Sequence, residues 1–124
     1  MRSMFMNTCI FIAAGGFLGA ISRYYLSGYL QTKHTLPLPL GTLAINLLGS
    51  FLLGLLLGLS INSPTYSFLA TGFLGAFTTF STFELEAVEL FRKGLVKLAL
   101  FYLAASVLLG LALAALGYWL GKTL

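Results

Sequence analysis

Four apolar runs, each about as long as a bilayer is thick, occupy nearly all of this chain and leave it few folds to choose from. A helix that crosses the hydrocarbon core needs roughly 20 mostly apolar residues. Runs at about 4–30, 40–61, 66–92 and 95–121 meet that length, and the joints between them, "TKHTLPLP", "NSPT" and "FRKG", carry breaker and turn residues. Charge points the same way. Only 8% of the 124 residues are charged and 59% are hydrophobic, whereas a soluble domain is about a quarter charged. The expectation is an all-α integral membrane protein, a single four-span membrane domain over residues 1–124, in which the lipid bilayer is the solvent and no soluble domain is left over. Arg2 and Ala13-Ala14-Gly15 imitate a signal peptide, but the first run reads as a retained span.

The same composition removes several function classes. The net charge of +4 is scattered, not gathered into a basic patch, so nucleic acid is not an expected partner. One cysteine, Cys9, forms no internal disulfide and reads as a small buried filler. One histidine, His34, beside Lys33, reads as a solvated loop residue and builds no metal site alone. No nucleophile–base pair is visible, so the chain is not expected to be an enzyme. An even number of spans puts both termini on one side with Arg2 and Lys122. Lys33, Arg92 and Lys93 then lie opposite, with Arg23 and Lys97 near them. That bias is a weak orientation signal. Four helices fill their own middle, so a conduit calls for a second copy.

Lipid does not drive helices together, and small residues that allow close backbone approach do. Gly15 and Gly19 in the first run, Ser50, Gly54 and Gly58 in the second, and Ser106, Gly110 and Ala114 in the fourth are spaced for packing seams. Polar groups at membrane depth are costly unless paired, and they mark packing bonds or a pathway. Asn46, about six residues into the second run, serves one or the other. The stretch "GAFTTFSTFELE", Gly75 to Glu86, is denser still. Thr78, Thr79, Ser81 and Thr82 compete for backbone carbonyls, and with Gly72 and Gly75 ahead of them they predict a broken third helix. Backbone groups freed at membrane depth need protein, water or an ion. Phe80 and Phe83 share a helical face. They are either lipid-facing and core residues, or rings whose positive edges face an anion, with Ser81, Thr82 and Asn46 as donors. Glu84, Glu86 and Glu89 close the run towards Arg92 and Lys93, with Glu86 a candidate for a vestibule.

These residues resemble, in all four runs, the CrcB/Fluc fluoride channels. "GGFLGAISRYY" is similar to that family's Gly-x-x-Gly-Ala-x-x-Arg-Tyr, through Gly16, Gly19, Ala20, Arg23 and Tyr24. "GTLAINLLGSFLLG" resembles its second-span motif, with Gly41, Thr42, Asn46 and Gly49. "GFLGAFTTFSTFELE" resembles the third, and "YLAASVLLG" the fourth, with Tyr102, Ser106 and Gly110. Ala76 departs from the pattern where members often carry a second glycine, which would stiffen the break slightly. The resemblance implies an antiparallel, dual-topology homodimer in the plasma membrane that exports fluoride passively through pores at the subunit interface. It implies Phe80, Phe83 and Asn46 against the ion, with Ser81, Thr82, Thr42, Tyr102, Ser106 and Glu86 along the pathway and Arg23 near the end of the first span. It also implies a central structural sodium ion (Na+), held by the main-chain carbonyls of Gly75 and Thr78. Two other classes lack their hallmarks. A proton-coupled exporter of cationic drugs needs an embedded carboxylate outside the third run, and an assembly subunit leaves the hydroxyl–phenyl cluster unexplained.

Overall fold

The computed structural model describes residues 1–32 and 38–124, and every regular element among them is helical. They are α1 (Arg2–Thr32), α2 (Leu40–Leu59), α3 (Ser63–Tyr66), a π-helical segment (Ser67–Leu74), α4 (Gly75–Phe77), α5 (Ser81–Arg92) and α6 (Val96–Thr123). Three of them, α1, α2 and α6, are long and apolar enough to cross a membrane. The stretch from α3 to α5 is interrupted, so no single piece of it reaches that length. Lys33, His34 and Pro37, read from the sequence as joint residues, lie outside the described residues.

The other two joints follow from local chemistry. Ser60 leaves α2 in the left-handed region, φ 56° and ψ 50°. Asn62 then starts the next helix by accepting from the Thr65 amide at 3.0 Å, with Pro64 in the first turn, where its missing N–H has no helical partner to lose. After Arg92, Gly94 takes φ +78°, and the Leu95 amide returns to the Leu90 carbonyl at 2.9 Å. This is a glycine-terminated helix end that satisfies a carbonyl otherwise left open. Across the α1–α2 joint, the Gln31 side-chain oxygen accepts from the Gly41 amide at 3.1 Å and ties the two helices together.

Two parallel helix pairs make the bundle. α1 packs on the π-helical segment and α2 on α6. In the first pair a Cβ at Gly15 would collide with the Phe68 carbonyl, and one at Gly19 with that of Phe73. In the second pair Gly54 faces the Ala114 carbonyl, Gly58 that of Tyr118, Gly117 that of Phe51 and Gly121 that of Leu55. Residue numbers rise in the same sense along both partners. The sequence reading found Gly15, Gly19, Gly54 and Gly58 and placed the α6 side of the seam at Ser106, Gly110 and Ala114. Ala114 and Gly110 do face α2, at Gly54 and at the Ser50 hydroxyl, which lies 3.5 Å from where a Gly110 Cβ would be, and the close approach continues along the same stripe to Gly117 and Gly121. Cys9 is a correction: it is exposed, not buried, because the packed face of α1 is the one carrying Gly15 and Gly19. Two small apolar clusters complete the interior. One joins Leu38, Ala87, Leu90, Ala99 and Tyr102; the other joins Ile45, Leu74 and Phe77.

Candidate functional site

The helix stops inside the hydroxyl-rich stretch. Thr78 is extended, φ −81° and ψ 158°, and Phe80 is already back in the helical region. The backbone groups at this break are claimed by side chains. The Thr79 amide, which a continuous helix would give to the Gly75 carbonyl, donates to Asn46 Oδ1 at 2.9 Å, and Asn46 Nδ2 donates back to the Thr79 carbonyl at 2.9 Å. Asn46 thus pairs with Thr79 as one peptide unit pairs with another, which spends its acceptor and one of its two amide hydrogens. The Thr82 amide, due to the Thr78 carbonyl in a continuous helix, donates instead to the Thr79 hydroxyl at 3.2 Å. The main-chain carbonyls of Gly75 and Thr78 are therefore both released from their helical partners. Thr78 turns its own hydroxyl back to the Leu74 carbonyl at 2.9 Å.

From the break a line of rings and hydroxyls runs to α6. Phe80 is 71% exposed. Its ring lies 5.9 Å from that of Phe83, which lies 5.2 Å from that of Tyr102. Tyr102 is wholly buried, yet its hydroxyl has no hydrogen-bond partner, and the buried Ser106 Oγ, one turn further along the same face of α6, has none either. Ser81 and Thr82 are exposed beside Phe80. An open cavity of about 320 Å³ lies between α2 and the break, lined among others by Asn46, Ser50, Gly75, Thr78 and Phe80. A second hollow, of about 310 Å³, shares Ser50 and reaches Ser106 and Gly110. The sequence reading named Ser50 only as a seam residue and left Thr79 out of the site. Ser50 stands one helical turn after Asn46, and that spacing is the signal that could have placed it.

Arg23 and Thr42 share a third hollow that reaches Thr79, and Glu86 joins them through Thr42. The Thr42 hydroxyl donates to Glu86 Oε1 at 2.5 Å, joining α2 to α5. Glu86 is thereby turned inward, while its neighbour Glu89 meets Arg92 at 3.8 Å on the surface. Arg23 is half-buried in a hollow of about 350 Å³ with Ser27, Thr42, Thr79 and Thr82. The structure therefore links Phe80, Phe83 and Tyr102 through their rings, Asn46 to Thr79 and Thr42 to Glu86 through hydrogen bonds, and gathers Arg23, Thr42, Thr79 and Thr82 around one hollow. Among the described residues no His, Cys, Asp and Glu cluster is fit to hold a metal.

The family model described as "CrcB-like protein, Camphor Resistance (CrcB)" matches residues 10–118. A protein of Bacillus cereus named fluoride-specific ion channel FluC 2 is 42% identical over 116 residues, covering 94% of this chain and 98% of its own. One of Geobacillus kaustophilus named fluoride-specific ion channel FluC 1 is 45% identical over 117 residues, covering 94% of this chain and all of its own. One of Agrobacterium fabrum named fluoride-specific ion channel FluC is 42% identical over 118 residues, covering 91% of this chain and 94% of its own. With the family model spanning α1 to α6 and such relatives matching almost end to end, this chain belongs to the CrcB/Fluc family.

Proposed function

We propose that two copies of this chain, inserted antiparallel as four-span subunits in the plasma membrane, form a passive fluoride channel whose paths lie along the interface between them. The observation that carries this reading is the polar line that leaves the break: an exposed phenyl ring at Phe80, then Phe83, then two buried hydroxyls, Tyr102 and Ser106, without partners. A buried hydroxyl without a partner is costly, so Tyr102 and Ser106 stand ready to donate to an ion, while the exposed Phe80 ring is the part of the line that a second copy would cover. Nearly full-length relatives named as fluoride-specific channels supply the ion.

The function is conduction, not chemistry. Taking a small anion bare into a low-dielectric interior costs on the order of tens of kcal/mol. A path has to return nearly all of that in steps, none so favourable that the ion stays. The second amide hydrogen of Asn46, aimed by the first one's bond to Thr79, is one donor. Ser81, Thr82, Tyr102 and Ser106 provide hydroxyls, and Phe80 and Phe83 offer ring edges with positive partial charge. Arg23 and Thr42 line a hollow that reaches Thr79 and Thr82 at the break, and Glu86 joins it through Thr42; an aqueous approach to the path would enter there. The Gly75 and Thr78 carbonyls fit a sodium site at the dimer axis. Both are freed from the helix, and hard cations take oxygen ligands of this kind. Sodium there would offset negative charge and hold the break.

The test is efflux from liposomes loaded with fluoride or chloride, read by ion-selective electrodes, with sodium present or replaced by a bulky organic cation. Fluoride should leave, chloride should stay, and removal of sodium should slow the flux. Equal chloride flux, or none of fluoride, refutes the reading.

A further inference from the structure

Thr78 is held from two sides. Its amide and its hydroxyl both donate to the Leu74 carbonyl, at 3.0 and 2.9 Å. With the hydroxyl turned back, the methyl group of this β-branched residue faces α2 and meets Gly49, where a Cβ would overlap it. The methyl cannot swing aside without rotating the stiff χ1 and giving up the bond to Leu74. Gly49 differs here from the seam glycines. At Gly15, Gly19, Gly54, Gly58, Gly117 and Gly121 the atom met first is a main-chain carbonyl, so those glycines let two helices approach. At Gly49 it is a single side-chain methyl, and the next atom of Thr78 is 3.6 Å away. Gly49 is buried and lies one turn after Asn46, which grips the neighbouring Thr79 by two hydrogen bonds.

We propose that Gly49 is a positioning residue for the break. Its missing side chain forms the notch that seats the Thr78 methyl and so fixes where the Thr78 main-chain carbonyl points. This rests on the reading above, in which that carbonyl faces a sodium ion. An alanine at position 49 forces Thr78 either to abandon Leu74 or to shift its backbone against the Asn46–Thr79 pair.

A double-mutant cycle tests it, because Thr78→Ser deletes the methyl while keeping hydroxyl and carbonyl. Gly49→Ala is made in the wild-type and in the Thr78→Ser background. Purified proteins are compared by thermal unfolding in sodium and in a bulky organic cation, and by fluoride efflux after reconstitution. In the wild-type background the alanine should slow efflux about tenfold or more, as misplacement of an aligned group does, and remove the sodium-dependent rise in Tm. In the Thr78→Ser background it should change neither efflux nor Tm, so the double variant should fold and behave as Thr78→Ser does. Equal cost in both backgrounds, no cost in either, or a double variant that fails to fold overturns the proposal. Wild-type protein with no fluoride efflux and no sodium response overturns the functional reading beneath it, whereas a normal wild-type without the coupling overturns only the role of Gly49.

Discussion

At the scale of single residues, Asn46 and Phe80 separate two kinds of contribution. Asn46 spends an acceptor and a donor on Thr79. Asn46→Asp keeps the acceptor but sets a second oxygen against the Thr79 carbonyl, leaving two acceptors facing each other. Losing a hydrogen bond at a buried polar group costs about 1–3 kcal/mol, so thermal unfolding of the variant in detergent should come at lower temperature and its fluoride efflux should vanish. Phe80 touches its own subunit mainly through Phe83 and is 71% exposed. Phe80→Ile should therefore leave unfolding of the single chain within about 0.5 kcal/mol of wild type, while efflux is abolished. Unchanged efflux in both variants would remove the pathway drawn here. Much of this site was legible as residue types: a lone amide in an apolar helix and a crowd of hydroxyls beside glycine mark an interruption from spacing alone. The identity of Asn46's partner was not, because Thr79 is distant in sequence and the bond goes to its main chain, which carries no side-chain signal.

At the scale of elements, the glycine seams decide how close the helices lie. Gly117 of α6 sits against the Phe51 carbonyl of α2, so Gly117→Leu pushes the pair apart. Overpacking of this kind costs roughly 1–3 kcal/mol, and yield and unfolding temperature should both fall. Gly28, with open space where a Cβ would go, is the control, and Gly28→Ala should match wild type. Gly94 ends α5 at φ +78°. Its replacement by alanine should cost about 1–2 kcal/mol from the left-handed conformation alone, again read as an earlier unfolding transition. The seam on α2 could be read from the four-residue spacing, and on α6 the Gly110–Ala114 spacing marks the stripe that faces Ser50 and Gly54. That the stripe runs on through Gly117 and Gly121, after a three-residue step, depends on how far the two helices stay in close contact, and only packing sets that.

At the scale of the whole molecule, the scattered charges bear on insertion. Arg2 and Lys122 at one end are set against Arg92 and Lys93 at the other, a difference too small to fix one orientation. If the chain inserts both ways up, a cysteine placed at Leu124 in a Cys9→Ser background should be labelled by a membrane-impermeant thiol reagent in about half of the molecules in sealed cells. Complete labelling or complete protection would mean a single topology and would end the antiparallel arrangement.

The sequence by itself determined the solvent and the kind of secondary structure, since runs of apolar residues of bilayer length permit only helices whose backbone bonds close internally. It also determined where helicity fails, because hydroxyls beside glycine compete for the same carbonyls wherever the chain goes. Tertiary structure alone decided which carbonyls are released at that failure, how far along α6 the close contact with α2 runs, and that Glu86 turns inward to Thr42 while Glu89 stays at the surface. Each of these depends on the distance and rotation between segments far apart in the chain, quantities that exist only once the helices have packed.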